Sequence, residues 1–299
     1  MTLLSLFSPA GVVPQVAPLR LAVKRLRALG FDAQLETSAL ARSQRFAGDD
    51  STRLQALHRV AQAAPSIAMS TRGGYGLSRL MGGIDWKLMA RSVQRGTRWV
   101  GYSDLTLLQL GLLKHTGAGS WAGPMALDDF SRADDAGGVD EVTRDCFVEA
   151  MGGELEAVGF RTEAGFDGLS VRGTLWGGNL TMVCALLGTP HWPAIKGGVL
   201  FLEEVGEHPY RVERNLLHLH QAGVLAQQKA VVMGAVNDWK PSPLDRGYGM
   251  KTAVAHLRSV LKVPLITGLP FGHVPTKVTL PQGRRVQLLV QGRDALIGW

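Results

Sequence analysis

A serine hydroxyl, an imidazole and a carboxylate can together cleave an amide when the imidazole takes the hydroxyl proton and the carboxylate orients the imidazole. Each partner has a candidate at a strand end in this sequence. In "WVGYSDLTLLQL", Trp99 to Leu110, an apolar strand-like run ends at Ser103, Asp104 follows, and a helical pattern begins. Two roles fit Ser103. It can cap the helix, or it can be a nucleophile on a sharp strand-to-helix corner, where the N–H of the next residue, Asp104, helps build an oxyanion hole. The second glycine of the usual elbow motif is absent, since the stretch reads Gly101-Tyr102-Ser103-Asp104-Leu105.

The base must come from eight histidines. His58, His218, His220 and His256 fall within helical patterns, and His115 lies near a helix end. His273 differs: "GLPFGHVP" follows the strand-like "VPLIT" and is bounded by Gly272 and Pro275, which leaves its ring on a strand-end loop. For the carboxylate, "GGVLFLEEVGEHPYR" runs an apolar strand, Val199 to Leu202, into Glu203 and Glu204. Side chains alternate across a strand, so only one of the two can face a shared site. A strand merely emerging into solvent is the other reading. The loop "TRGGYGLSR", Thr71 to Arg79, is glycine-rich and follows a strand, where open α/β sheets bind ligands. Its spacing matches neither the P-loop nor the dinucleotide fingerprint. Arg72, Arg211 and Arg214 can bind carboxylates or serve as ordinary surface residues.

Strands at Leu3–Phe7, Phe31–Leu35, Ser66–Ser70 and Trp99–Tyr102 would position these groups. Helical spacing lies between them: Leu19, Ala22, Val23, Leu26 and Leu29 stop at Gly30, and Asp50 or Ser51 can cap a helix carrying Leu54, Leu57, Val60 and Ala61. Alternating strands and helices predict a parallel sheet covered on both faces. The polar, small "DDFSRADDAGGVDE" marks a connection, giving an N-terminal α/β domain over 1–130, a linker over 131–165 and a C-terminal domain over 166–299. In that second half, helical signals cover Leu180–Leu187, Tyr210–Gln221 and Thr252–Leu261. "KVTLPQGRRVQLLV" reads as a hairpin turning at Pro281-Gln282-Gly283.

The 45% hydrophobic content supports a packed core. The net charge of +7 is spread rather than clustered, so a solvated basic surface is expected and not a nucleic-acid groove. Cys146 and Cys184, the only cysteines, offer no disulfide framework or zinc spacing and fit a reducing cytosol. The first basic residue is Arg20, so no secretory leader is expected, and no apolar run approaches a membrane span of about 20 residues.

The stretches "RFAGDDSTRLQAL", "TRGGYGLSRL", "GYSDLT", "WAGPM", "GTLWGGNL", "LFLEEVGEHPYRVER" and "PLITGLPFGH" followed by "VTLPQG", in this order, resemble the LD-carboxypeptidase family. The resemblance implies a Ser-Glu-His triad: Ser103 as nucleophile, Glu203 rather than Glu204 as the acid, and His273 as the base. It also implies an oxyanion hole from the N–H groups of Gly74 and Asp104. By resemblance the fold is α/β, with a flavodoxin-like parallel-sheet domain, a β-rich C-terminal domain and the active site in the cleft between them. The implied enzyme is a cytoplasmic, serine-type, homodimeric carboxypeptidase without cofactor or metal. It would remove the D-alanine that follows meso-diaminopimelate in murein tetrapeptides. Two alternatives stand beside it: a self-immunity peptidase of the same family that cleaves a peptide–nucleotide antibiotic, and a non-catalytic anion-binding module in which Ser103 only caps its helix.

Overall fold

Short apolar runs joined by amphipathic helices build the first sheet. The computed structural model describes residues 1–299. In chain order its first part contains β1 (Thr2–Phe7), α1 (Val16–Ala28), β2 (Phe31–Leu35), α2 (Asp50–Ala63), β3 (Ile67–Ser70), α3 (Trp86–Gln94), β4 (Arg98–Gly101), α4 (Thr106–Thr116), β5 (Ser120–Ala122), α5 (Ala126–Asp129) and α6 (Glu141–Gly152). Strands β1 to β5 are parallel in the order β2-β1-β3-β4-β5, the flavodoxin-like arrangement expected from the sequence. Leu4, Leu6, Ile67, Met69 and Val100 from the strands bury against Leu19, Ala22 and Leu26 of α1 and Phe147 of α6. Those helical residues recur at one-face spacing, which is why α1 lies on the sheet. Helix α4 is buried over Thr106 to Leu112, so its apolar residues run all the way round.

The rest of the chain contains β6 (Ala157–Arg161), β7 (Ser170–Asn179), α7 (Leu180–Leu186), β8 (Val199–Val205), α8 (Pro209–Gln221), β9 (Ala230–Asn237), α9 (Met250–Val260), β10 (Leu265–Thr267), β11 (Leu280–Gln282), β12 (Arg285–Gln291) and β13 (Asp294–Gly298). A seven-stranded sheet runs β10-β9-β8-β7-β12-β13-β6. Its β10-β9-β8-β7 half is parallel and its β7-β12-β13-β6 half antiparallel. No helix is long and apolar enough to cross a membrane.

The chain divides into two compact units. One holds Met1–Leu155, Thr189–Pro193 and Pro275–Gln282; the other holds Glu156–Gly188, Ala194–Val274 and Gly283–Trp299. This division differs from the expected connection over 131–165. Helix α6 lies inside that stretch and packs Phe147, Ala150 and Met151 into the first core. Polar residues there have structural work: the Asp140 side chain accepts from the Thr143 N–H at 2.9 Å and caps α6.

Two further expectations are corrected. The helix expected to be capped by Asp50 or Ser51 is capped by Asp49, which accepts from the Thr52 N–H at 2.7 Å. The hairpin at Pro281-Gln282-Gly283 does not form. Instead, β11 pairs antiparallel with β5 as an edge of the first sheet, and β12 joins β7 and β13 in the second. Pro281 is tolerated there because an edge strand has no need of its missing N–H on one side. The hairpin that does form joins β12 and β13.

The returning segment 275–282 is fixed to the first unit by a buried ion pair between Lys277 and Asp129, with both side chains 1% exposed. Asp129 also accepts from the Met125 N–H at 2.8 Å, and the Lys277 ammonium lies 4.9 Å from the centre of the Tyr102 ring. Removing one partner leaves the other charge buried and unpaired. Lys277→Met is therefore expected to lower unfolding free energy by about 3–5 kcal/mol in denaturant titrations. The double change Lys277→Met with Asp129→Asn should recover part of that loss.

Candidate active site

Ser103 stands where β4 ends. Tyr102 is extended, with φ −148° and ψ −164°, whereas Ser103 has φ 63°. That left-handed conformation is costly for any residue with a side chain and is kept only where the surroundings over-determine it. The cap positions ahead of the following turn and of α4 fall to Tyr102 and Leu105, and neither makes a side-chain cap. Ser103 is itself the first residue of the turn that leads into α4. Its backbone geometry is that of a nucleophile corner.

The glycine loop after β3 lies directly on this corner. A Cβ built on Gly73 would sit 2.6 Å from the Ser103 Oγ and 2.7 Å from its Cβ, so a larger residue there would displace the serine. Gly74 has φ 96° and is exposed. The loops after β1 and β3 meet here: Gly11 donates its N–H to the Gly73 carbonyl at 3.2 Å, and Ser8 and Thr71 share a hydroxyl hydrogen bond of 2.7 Å. These two strands flank the point where the strand order reverses, the usual ligand position in such sheets.

Asp104 is buried, and its Oδ2 accepts from the Leu77 N–H at 2.9 Å. Burial pushes its carboxyl up to about 6, against the opposing pull of that hydrogen bond and of Arg53. Sequence reasoning used only the Asp104 N–H and overlooked both the carboxylate and Arg53. Arg53 lies on the buried side of α2, and its neighbours Leu54 and Leu57 in the apolar pattern were the available signal.

In the second unit, β8 delivers the glutamate pair. Glu203 is fully buried, and its Oε2 lies 2.8 Å from the His273 Nδ1. A carboxylate can only accept, so it takes the Nδ1 hydrogen and leaves Nε2 as the basic nitrogen of the neutral ring. The loop is anchored as well: Asn237 Nδ2 donates to the His273 carbonyl at 2.9 Å. Gly272, at φ 132°, lets the loop pass close; a Cβ there would sit 3.1 Å from Glu203 Cβ. Glu204 points elsewhere. It accepts from Asn179 Nδ2 at 2.8 Å, from the Thr181 hydroxyl at 2.6 Å and from the Thr181 N–H at 2.9 Å, tying β8 to the start of α7. Neither glutamate emerges into solvent.

Arg72 donates to the Val12 carbonyl at 3.3 Å, Arg211 pairs with Glu207 at 3.4 Å, and Arg214 is exposed. Trp176 is buried core, its indole bonded to Gln228 at 3.0 Å. His115 and His191 pair at 2.8 Å, and His208 pairs with Asp245 at 3.0 Å. Serine with its donors in one unit and a carboxylate-held imidazole in the other are the parts of acyl-transfer chemistry.

Residues 4–123 match the LD-carboxypeptidase N-terminal domain, and residues 172–288 match the LD-carboxypeptidase C-terminal domain. The chain belongs to the LD-carboxypeptidase family. As a member it is an enzyme of the carboxypeptidase class. It is 27% identical to the murein tetrapeptide carboxypeptidase of Pseudomonas aeruginosa, over 95% of this chain and 92% of that one. It is 26% identical to a probable murein peptide carboxypeptidase of Bacillus subtilis, over 96% and 90%. Among solved structures, the muramoyltetrapeptide carboxypeptidase of Oxalobacter formigenes superposes with a TM-score of 0.90 at 38% identity, covering 100% of this chain and 99% of that one. A complex of MccF with glutamyl sulfamoyl guanosine shares the fold, with a TM-score of 0.86 at 18% identity, covering 100% and 96%. The expected family and α/β fold are thereby established for this LD-carboxypeptidase.

Two outcomes follow from the corner. Ser103→Gly relieves the left-handed strain and is expected to raise unfolding free energy by about 1 kcal/mol, whereas Ser103→Ala is not; urea titrations distinguish them. The Asp104 carboxyl binds its proton more tightly in the folded state, at about 6, than at the ordinary 3.8 of the unfolded chain. Its contribution to stability is therefore greatest below pH 3.8 and declines as pH rises through about 6. Relative to wild type, Asp104→Asn should gain about 2–3 kcal/mol between pH 4 and pH 7.5, read as the difference between two melting curves.

Proposed function

We propose that this LD-carboxypeptidase is a serine hydrolase that removes the terminal D-alanine following meso-diaminopimelate in murein tetrapeptides. The observation that carries the reading is the left-handed corner at Ser103, because neither a cap nor a structural serine needs it. The buried Glu203–His273 pair supports it with a base of defined tautomer. The relatives named for murein tetrapeptide and muramoyltetrapeptide substrates support the choice of peptide.

In this mechanism His273 Nε2 takes the Ser103 proton as the hydroxyl oxygen attacks the scissile carbonyl. The N–H groups of Gly74 and Asp104 stabilise the resulting oxyanion. Glu203 stays ionised and holds the imidazolium. The imidazolium then gives its proton to the departing D-alanine amine, which leaves an acyl-enzyme. His273 activates water, which attacks this ester, and Ser103 is regenerated. The nucleophile belongs to the N-terminal portion that the sequence divides off at 1–130, the acid and base to the portion from 166 onward. We place the reaction in peptidoglycan recycling in the cytoplasm, with the working form a homodimer.

The decisive assay incubates purified protein with a murein tetrapeptide ending in meso-diaminopimelate–D-alanine and follows D-alanine release by mass spectrometry. Wild type is expected to turn over, and Ser103→Ala and His273→Ala should each lower kcat by about 10³–10⁶. Equal turnover by wild type and Ser103→Ala removes the serine from the mechanism. Cleavage of a peptide–nucleotide antibiotic with no action on tetrapeptide overturns the substrate assignment while leaving the triad intact.

A further inference from the structure

A single peptide unit in the glycine segment is gripped at both ends by buried charged groups that the proposed reaction does not itself use. The Gly76 carbonyl accepts from Arg53 Nη1 at 2.9 Å. The N–H at the other end of that peptide, belonging to Leu77, donates to Asp104 Oδ2 at 2.9 Å. Arg53 is fully buried. Its Nη1 also donates to the Pro9 carbonyl at 2.9 Å, and its Nη2 pairs with Asp50 at 2.5 Å. Its guanidinium stands 4.8 Å from the centre of the Phe46 ring, with the Arg79 guanidinium, which also pairs with Asp50, 4.9 Å from the same centre.

This placement couples parts that the chain supplies separately. Pro9 follows β1 and Gly76 follows β3, so one guanidinium holds the loops on both sides of the strand-order reversal. The gripped peptide begins two residues after Gly74. The carboxylate at its other end belongs to the residue whose own N–H follows Ser103. Asp104 thus carries one of the two backbone donors and, through its side chain, holds Leu77 in the segment that carries the other. Space enforces the arrangement: a Cβ on Gly76 would meet Arg53 Nη1 at 2.6 Å. Two ionised groups buried for packing alone would be a costly choice, since apolar residues fill space without desolvating charge.

We propose that Arg53 and the Asp104 carboxylate are positioning residues that hold the glycine segment in register with the Asp104 N–H, fixing the separation of the two oxyanion donors. The inference rests on the reading of Ser103 as nucleophile. Neither side chain touches the reacting atoms. They act through the Gly76–Leu77 peptide, and the benefit is felt where negative charge develops rather than where the ground-state peptide binds. Loss of one well-placed oxyanion donor lowers kcat by about 10²–10³, so loosening one donor should cost about 10–100-fold.

Three readouts on the intact chain separate positioning from mere folding. Asp104→Asn keeps the shape and an acceptor oxygen but lacks the charge, and Arg53→Lys keeps the charge but not the fork. Each is assayed for kcat and KM on murein tetrapeptide. Each is also assayed for inhibition by a peptide boronate whose boron replaces the scissile carbonyl carbon and is attacked by serine to give a tetrahedral anion, and for melting temperature at pH 7. We expect kcat to fall about 10–100-fold with KM changed less than about threefold, and boronate affinity to weaken in parallel with kcat/KM. Asp104→Asn should melt no lower than wild type. A variant that melts like wild type yet keeps wild-type kcat and boronate affinity overturns the inference while leaving Ser103 in its role. A fall in kcat with boronate affinity unchanged also overturns it. Wild type that neither cleaves tetrapeptide nor binds the boronate overturns the underlying reading, and this inference with it.

Discussion

A serine held at φ 63° stays there only if its neighbours leave no alternative, and around Ser103 they do not. Tyr102, immediately before it, is buried and lies against the Lys277 ammonium. The Gly101 carbonyl is held by Gln109 Nε2 at 3.0 Å, and the same amide reaches Trp121 at 2.8 Å, so β4, β5 and α4 are locked together beneath the corner. On the far side Asp104 is tied to Leu77. Strain at one residue is thereby spread over a sheet, a helix and a loop. The buried ion pair of Lys277 and Asp129, remote in sequence from the serine, borders the same support, with the Lys277 ammonium 4.9 Å from the centre of the Tyr102 ring.

Four buried carboxylates show how one functional group is turned to different ends by its partner. Glu203 faces an imidazole and fixes its tautomer. Glu204, one residue on, faces only N–H and hydroxyl donors and staples β8 to α7. Asp129 faces an ammonium, and Asp104 faces a backbone N–H. Alternation along β8 separates the first two, and a register shift between Leu202 and Glu204 against β9 lets both remain buried. Of the four, only Glu203 is paired with an imidazole.

What could be read in the sequence was whatever local physics decides. The strands at Leu3–Phe7 and Phe31–Leu35 and the helices of the first unit announce themselves by apolar period and by stop signals such as Gly30. Ser103 and the Glu203-Glu204 pair stood out because apolar strand-like runs lead into them, and His273 because it lies on a loop after one; the choice of Glu203 over its neighbour came from the family resemblance. Polarity misled in two places. The acidic stretch from Asp128 is exposed over 133–137, as a connection would be, but Asp129 is paired with Lys277, which is 148 residues away in sequence, and Asp140 is a cap. Pro281-Gln282-Gly283 looked like a turn because the pattern there is local, whereas the pairing of β11 with β5 is not. Arg53 was invisible for the same reason: a buried arginine is explained by the carbonyls it finds, and those come from loops after other strands.

Similarity of backbone and similarity of chemistry separate cleanly in this family. The scaffold superposes almost as well on MccF, at 18% identity, as on the muramoyltetrapeptide carboxypeptidase at 38%. Resemblance at the lower level speaks for the arrangement of strands alone, and function must be argued from side chains set upon them. In the proposed reaction the corner, the glycine loop and the carboxylate–imidazole pair are the parts that break the amide, whatever leaves. In that proposal, selection of the terminal D-amino acid falls to groups that touch the leaving residue, and those are free to differ while the corner stays. Such a division suits a strained serine, because its supporting contacts lie behind it, in the sheet and the gripped peptide, where a change of substrate need not disturb them.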